Sequence, residues 1–399
     1  MSRALRALPR RWLVAAGLLL LAANLRPLFS STSVLLPDII AGLGIQAATA
    51  GYLTTLPVLC MGIFAPFAPR LARRIGVERT LWLVLLLITL GTALRGYWSV
   101  NGLFLGTALG GAGIAMGNVL LPSLVKRDYA DRAALMTGLY TMSLVGGAAL
   151  AAATSLPLAQ LLGRQWANGL IIWAALGLLA LAAWSPVAYF SGAQQTGPAR
   201  LLPVKSLPKD PLAWAVTLFM GLQSALAYCV LGWMAPMLHA RGLNGTEAGL
   251  ITSVSIVLQI IACIFTPMLA SRWRDQRGLA VLLSAMATLA LVGMLAGPAW
   301  AIWPLSIVQG LGQGGLFALA LMLIVLRSGD AHVAAALSSM AQTTGYLLAA
   351  SGPLLIGMLY AWTGGFDAAT GLIGLLGVCT GLAGWFAGRK LLVRAQTAA

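Results

Sequence analysis

The feature that most constrains this chain is a series of apolar runs, each long enough to cross a lipid bilayer as a helix. A transmembrane helix needs about 20 predominantly apolar residues, and the 399-residue sequence contains twelve such runs. Charged residues make up only 9% of the chain, against about 25% in soluble proteins. The sequence therefore predicts an all-α polytopic membrane protein. The twelve predicted spans lie at roughly 12–36, 47–70, 80–97, 101–125, 133–157, 166–190, 211–238, 246–270, 278–297, 300–326, 333–360 and 366–388.

The distribution of basic residues predicts the sidedness of these spans. An even number of spans places both termini on one side, and 21 of the 25 Lys and Arg residues fall in the termini and loops of that side. Three fall in loops on the other side, and Arg26 lies within the first span. Because cytoplasmic loops carry the excess of Lys and Arg, we expect both termini to be cytoplasmic. The first apolar run is longer than the core of a secretory signal, so we expect it to be the first membrane helix.

The two halves of the chain repeat each other at an offset near 200 residues. Residues 191–210 are polar, basic and rich in proline, which is typical of a linker. We therefore predict two six-helix bundles, at 1–190 and 211–399, joined by a cytoplasmic linker at 191–210. At this offset Asn24 falls on Gln223, whereas Arg26 falls on Ala225. The matching stretches are 50–57 with 248–255, 69–79 with 267–277 and 124–138 with 325–339, and Pro37 falls on Pro236.

Arg26 is the only formal charge that the sequence places at midplane depth. All nine Asp and Glu residues fall in loops or at span ends, which weakens any model with a buried carboxylate as proton relay. Helical spacing places Arg26, Ser30 and Ser33 on one stripe, with Asn24 and Ser31 on a neighbouring face. Two interpretations are open. The guanidinium binds an anionic or strongly polar substrate through its fixed fork of donors, or it holds broken backbone at the following proline.

Further polar side chains recur at midspan depth on several predicted helices. Amides and phenols can both donate and accept hydrogen bonds, which suits a small polar substrate. Such residues also form hydrogen bonds between packed helices, so lining of a cavity and helix packing are both open for each of them. The candidates for the substrate site are Asn118, Tyr140, Gln259, Gln309, Gln313, Gln342 and Tyr346, together with Arg26, Asn24 and Ser30.

Other functional classes find no support in the sequence. The four Cys residues lie in separate spans and the two His residues near span ends, so no spacing suits a metal site. A membrane enzyme would need a buried nucleophile with its base, and neither is visible. We expect no enzymatic activity and no cofactor. Arg95, near the external end of the third span, either guides an anion inward or extends its charged end to water.

One loop carries a recognisable motif. The stretch "PRLARRIGVERTL" (69–81) resembles the loop motif G-x-L-A-D-R-x-G-R-R-x-x-L of the major facilitator superfamily, but Pro69 replaces its first Gly and Arg73 its Asp. In that superfamily the Asp helps to latch the cytoplasmic gate through charge pairing. We expect a different latch here, built from Asp128 or Asp131 against nearby arginines such as Arg73 and Arg74.

Over nearly its whole length the chain resembles the cyanate transporter and 2-nitroimidazole exporter family of bacterial major facilitators. The stretches that carry the resemblance are "NLRPLFSSTSVLLP" (24–37), "GYLTTLPVLCMGIFAP" (51–66), "GIAMGNVLLPSLVKRD" (113–128), "LGWMAPML" (231–238) and "AALSSMAQTTGYLLAASGP" (335–353).

The resemblance implies a monomeric carrier in the bacterial inner membrane that works by alternating access around a site between its halves. It places Arg26 at the arginine position of the family's first-helix motif and Asn118 at a family position in span 4. The implied substrate is a small polar or anionic solute, such as cyanate or a nitroimidazole. The alternative is an efflux carrier of neutral compounds in which Arg26 is structural. Direction of transport and coupling to protons are open.

Overall fold

The computed structural model describes residues 2–97, 99–129, 133–163, 165–190, 207–273, 275–329 and 331–393, and this part of the chain is helical without a strand. The predicted linker at 191–210 lies outside the described residues except for its last four positions. Nine helices precede it: α1 Ser2–Asn24, α2 Pro27–Leu43, α3 Ala47–Phe64, α4 Phe67–Ile75, α5 Val77–Leu94, α6 Val100–Asp128, α7 Ala133–Leu161, α8 Trp166–Ile171 and α9 Trp173–Phe190.

From residue 207 onward, the described residues form seven more helices and two short 3-10 turns. The turns are Leu207–Lys209 and Ala299–Ala301. The helices are α10 Pro211–Ala240, α11 Gly245–Arg272, α12 Arg277–Ala296, α13 Ile302–Leu326, α14 Ala331–Ala349, α15 Ser351–Thr363 and α16 Asp367–Ala387.

The prediction of a polytopic helical membrane protein is confirmed. Among the described residues, 11 helical segments are long and apolar enough to cross a membrane, or 12 when one bent pair is counted as a span. That pair is Ala48–Phe64 with Phe67–Ile75, bent by 59°. Pro66 precedes α4, and a proline has no N–H with which to continue the preceding helical ladder. The second predicted span is therefore a broken helix whose second arm carries the basic motif.

The first span is interrupted as well. Helix α1 ends at Asn24, and α2 begins at Pro27 with Pro at its first position. The interruption falls at Leu25 and Arg26, where Pro27 again removes a donor from the ladder. Helix α2 ends at Leu43, and the left-handed backbone of the following Gly44 (φ 62°) suits a residue without a Cβ.

The chain divides into two compact units. The first comprises 1–45 and 63–198, and the second comprises 46–62 and 199–399. Most of α3 thus packs within the second unit. A Cβ on Gly51 would lie 3.0 Å from the Cα of Gly357 in α15, so the two backbones approach closely because both residues are glycine. Further along α3, the hydroxyl of Tyr228 donates to the Sδ of Met61 over 3.0 Å.

Candidate functional site

Arg26 occupies the interruption between α1 and α2. Its carbonyl oxygen accepts the N–H groups of Phe29 (3.0 Å) and Ser30 (3.4 Å), so the residue starts α2. Its guanidinium carbon lies 5.8 Å from the centre of the Phe29 ring, within the range of a cation–π contact. The side chain is partly exposed, whereas Phe29 is buried. The interruption therefore holds a guanidinium that has an aromatic face beside it and still presents surface.

Asn24 and Ser30, the predicted neighbours of Arg26, are both buried. The side-chain amide of Asn24 donates to the carbonyl oxygens of Leu20 (2.8 Å) and of Leu176 in α9 (3.3 Å). Its donors are thus used to join α1 to α9. The hydroxyl of Ser30, like those of Ser31 and Ser33, has no hydrogen-bond partner among the described residues. Helix α2 therefore carries a run of buried hydroxyls directly after the interruption.

Arg95 is the most conspicuous residue whose setting the sequence did not reveal. Its position at the end of α5 favoured a side chain that reaches water, and this interpretation is wrong because the residue has no exposed surface. The Nη2 group donates to the hydroxyl of Thr32 in α2. The Nε and Nη1 nitrogens have no partner among the described residues. The guanidinium of Arg95 is therefore fully enclosed, unlike that of Arg26.

The two other candidates in the first unit are Asn118 on α6 and Tyr140 on α7. Both are partly exposed as whole residues. The side-chain nitrogen of Asn118 is nevertheless buried without a hydrogen-bond partner among the described residues. An unsatisfied buried donor costs free energy unless something supplies an acceptor. Asn118 thus offers a donor that none of the described residues uses.

Helix α7 packs against α1, and the two backbones approach closely at Gly147. A Cβ on Gly147 would run into the carbonyl oxygen of Ala23 and would lie 2.9 Å from its carbonyl carbon. The adjacent Gly146 has open space around it, with no atom within 4 Å of such a Cβ. Ala23 lies three residues before Arg26. The absence of a side chain at Gly147 therefore helps to fix the end of α1 from which Arg26 follows.

In the second unit, two buried amides of α13 form hydrogen bonds to the neighbouring helices α10 and α11. The Oε1 of Gln309 on α13 accepts the hydroxyl of Ser255 on α11. The Nε2 of Gln313 donates to the carbonyl oxygen of Gln223 on α10 over 3.1 Å. Gln259 packs its backbone against Gly314 and is partly exposed. These contacts satisfy some donors and acceptors but leave one buried atom on each of Gln223, Gln309 and Gln313 without a partner among the described residues.

Gln223 was not among the candidate site residues, although the repeat pointed to it by aligning it with Asn24. The remaining two candidates lie on α14. The amide of Gln342 donates to the hydroxyl of Ser338 over 2.8 Å. The ring of Tyr346 meets the ring of Tyr228 edge to face, with centroids 6.3 Å apart. Both contacts lie within the second unit.

One predicted gating residue, Asp128, pairs with an arginine that was not among the predicted gating residues. Asp128 accepts from the guanidinium of its neighbour Arg127, with a shortest distance of 2.6 Å, and Arg127 also pairs with Glu78 at 2.6 Å. The hydrogen bond that Arg127 donates to Asp128, together with the charges of both acids, raises the pKa of Arg127 against the opposing effect of burial. Arg73 and Arg74 are exposed at the end of α4. Asp131 lies outside the described residues, and the gating role of all four stays a prediction.

A second cluster around an arginine joins three helix ends in the second unit. The Nε of Arg327 donates to the carbonyl oxygen of Ala387 (3.0 Å), and one Nη donates to that of Gly388 (3.0 Å) and to Gln276. The N–H of Val393 donates in turn to the carbonyl oxygen of Arg327 over 2.9 Å. A cation at the carboxyl end of a helix is favourable because the last carbonyls carry partial negative charge. Arg327 thus caps the carboxyl end of α16 by donating to its last carbonyl oxygens.

The comparisons with known proteins agree with this architecture. A family model described as Major Facilitator Superfamily matches residues 18–353. The chain is 41% identical over 382 residues to the uncharacterized transporter YycB of Bacillus subtilis, covering 95% of this chain and 94% of that protein. It is 38% identical over 385 residues to the 2-nitroimidazole transporter of Escherichia coli, covering 96% and 97%.

A third relative is more distant. The cyanate transport protein CynX of Escherichia coli is 30% identical over 361 residues, covering 88% of this chain and 90% of that protein. Among solved structures, a D-xylose–proton symporter superposes with a TM-score of 0.73 at 13% identity, covering 96% of this chain and 99% of the symporter. This likeness concerns the fold.

Proposed function

Because the chain belongs to the Major Facilitator Superfamily, we propose that it carries a small polar or anionic solute by alternating access, with Arg26 as the substrate anchor. The chain is a multi-pass membrane transporter of small solutes and not an enzyme. The solute is a cyanate-like anion or a nitroimidazole-like compound. The protein lies in the bacterial inner membrane with cytoplasmic termini, an orientation supported by the bias of Lys and Arg.

The observation that carries the proposal is the setting of Arg26. An ionised side chain within a membrane span is rare and usually functional. Arg26 lies where the helix is interrupted and retains exposed surface, whereas the enclosed Arg95 is out of reach of solvent. A guanidinium presents a planar fork of donors that matches the oxygens of an anion or of a nitro group. The names of the 2-nitroimidazole and cyanate relatives support solutes of these two kinds.

The test is transport of cyanate and of 2-nitroimidazole into proteoliposomes by the wild type, Arg26→Ala and Arg26→Lys. A hydrogen bond to a charged group contributes about 1.5–3 kcal/mol, so Arg26→Ala should raise the KM for its solute about tenfold to a hundredfold. Arg26→Lys keeps the charge and loses the fork. We therefore expect it to retain more cyanate transport than nitroimidazole transport.

Arg70→Ala is the matched control. Arg70 also lies over a phenylalanine ring, 5.6 Å from the centre of Phe67, but it is exposed on α4. We expect this variant to transport as the wild type does. Unchanged KM values for both solutes in Arg26→Ala, with the protein folded by its melting curve, would rule out the anchor.

The second candidate function is export of neutral compounds with a structural Arg26. It is favoured by the contact of the Arg26 guanidinium with the buried ring of Phe29 in α2, whose centre lies 5.8 Å from the guanidinium carbon. In that case Arg26→Ala would lower the melting temperature and leave the relative transport rates of a panel of neutral and anionic solutes unchanged. The same three proteins therefore separate the two functions.

A further inference from the structure

An open groove of about 870 Å³ lies on the surface of the first unit, between the start of α5 and the end of α9. Its wall on α5 consists of Arg79, Trp82 and Leu83, which helical spacing places on one face. Its wall on α9 runs from Ala182 to Tyr189, a distance of about 10 Å along the helix. The volume is in the range of sites for organic ligands, which measure about 300–1,000 Å³.

Two tryptophans, one from each helix, hold the walls of this groove together. The Nε1 of Trp82 on α5 donates to the hydroxyl of Ser185 on α9 over 3.0 Å. The Nε1 of the buried Trp184 on α9 donates to the carbonyl oxygen of Glu78 on α5 over 2.9 Å. The walls are therefore in place before a ligand arrives, and a preformed site loses little affinity to ordering.

The groove opens towards the surroundings of the membrane-spanning helices. Both walls belong to segments that are long and apolar enough to cross a membrane, Val77–Leu94 and Trp166–Tyr189. Leu178 and Leu179, which precede the groove on α9, are exposed. Tyr189 is 81% exposed at the end of α9, and tyrosine is enriched where a membrane meets water. The groove thus extends from head-group depth towards the hydrocarbon.

The head-group end of the groove is positively charged. Arg79 is exposed, and no hydrogen bond or ion pair to it occurs among the described residues. The neighbouring acid, Glu78, instead pairs with Arg127 at 2.6 Å. Arg73 and Arg74 are exposed in the last turn of α4, a few residues before Arg79. A ligand with an apolar body and an anionic head therefore matches both ends of the groove.

We propose that the groove binds an anionic phospholipid, with the phosphate on the guanidinium of Arg79 and an acyl chain along Leu83, Ala182 and Pro186. A guanidinium matches the oxygens of a phosphate through its fork of donors. Clusters of basic residues at the cytoplasmic face of a membrane attract anionic lipids, and the proposed orientation places this end of the unit there. The cation of a zwitterionic head group would be repelled by the same arginines, which gives the site its selectivity.

The experiment is native mass spectrometry of the purified full-length protein, titrated with phosphatidylglycerol or with phosphatidylcholine of the same acyl chains. We expect the wild type to bind phosphatidylglycerol about tenfold more tightly, as one hydrogen-bonded charge pair provides. Arg79→Gln should remove this preference. The matched control is Arg70→Gln, which loses the same charge from the exposed surface of α4 outside the groove. Its affinity for phosphatidylglycerol should stay within about twofold of the wild type.

A second pair of variants tests the apolar part of the groove without changing its charge. Ala182→Phe fills the groove at an exposed position and should weaken phosphatidylglycerol binding at least about tenfold. Leu179→Phe adds bulk to α9 at an exposed position outside the lining and should bind as the wild type does. Glycerol 3-phosphate, which has the head-group phosphate without acyl chains, should not displace the lipid.

Three results would each overturn the proposal. They are equal affinity of the wild type for the two lipids, an unchanged preference in Arg79→Gln, and displacement of the lipid by glycerol 3-phosphate. Binding is measured without transport, so the outcome is independent of the role proposed for Arg26.

Discussion

Replacing Gly147 with alanine tests whether one close helix contact fixes the region of Arg26. The new Cβ would lie 2.9 Å from the carbonyl carbon of Ala23 and would overlap its carbonyl oxygen. Comfortable contacts between carbon atoms lie at about 3.5–4.0 Å, so α1 and α7 must separate by at least about half an ångström. The atoms in the way belong to backbone, and no rotation of a side chain can relieve the overlap.

The magnitude follows from two opposing contributions. Overpacking a close-packed contact costs about 1–3 kcal/mol, and the upper end applies because backbone must move. Alanine is better than glycine inside a helix by about 1 kcal/mol. The net expectation for Gly147→Ala is therefore a loss of about 2 kcal/mol in the free energy of unfolding. Gly146→Ala has open space and should gain up to about 1 kcal/mol from the same helix preference.

The two variants differ by one position in the same helix, so their comparison removes effects of helix propensity. The assay is reversible unfolding in mixed micelles, with solute transport measured on the same preparations. We expect the free energies of unfolding to differ by about 3 kcal/mol and transport to fall only in Gly147→Ala, because Ala23 precedes Arg26 by three residues. Equal free energies of unfolding for the two variants would show that the contact does not constrain α1.

Two further predictions concern the arginine clusters away from the solute anchor. Arg327→Ala should lower the free energy of unfolding by about 2–4 kcal/mol, because buried carbonyl oxygens at the end of α16 lose their donor. The control Lys390→Ala, at an exposed position, should change this free energy by less than about 0.5 kcal/mol. Chemical denaturation of the two variants measures both values. Glu78→Gln should cost less than about 1 kcal/mol, because its pair with Arg127 is partly solvated. This loss should shrink in high salt, and an equal loss at low and high salt would contradict the electrostatic origin.

The sequence predicted the spans well because apolar runs of fixed length are a direct consequence of the bilayer. It also raised the possibility of broken backbone beside Arg26, since Pro27 cannot donate to a ladder. The sequence could not predict the burial of Arg95, because an arginine at the end of a span usually extends to water. Its enclosure depends on Gly106, a residue on another helix, and no local pattern reports such a contact.

The polar candidates show a similar limit. Spacing along a helix identifies a shared face but not the partner that covers it, so Gln309 and Gln313 were indistinguishable from exposed lining residues. Both are fully buried and hydrogen bonded to neighbouring helices. The internal repeat was the one signal that pointed beyond spacing, because it aligned Gln223 with Asn24. Each of these two residues forms a hydrogen bond from the first helix of its half to another helix.

The arginine at the end of α13 has a consequence for how the chain is made. Ribosomal synthesis produces Arg327 sixty residues before Ala387, whose carbonyl oxygen it will engage. Until α16 has been inserted, the guanidinium lacks the carbonyl groups that accept its protons at that helix end. In a chain truncated before Gly388, the guanidinium would never gain all of these acceptors. We expect the cell's proteases to degrade such a product. The end of the last helix thus supplies the carbonyl oxygens that Arg327, synthesised earlier, needs as acceptors.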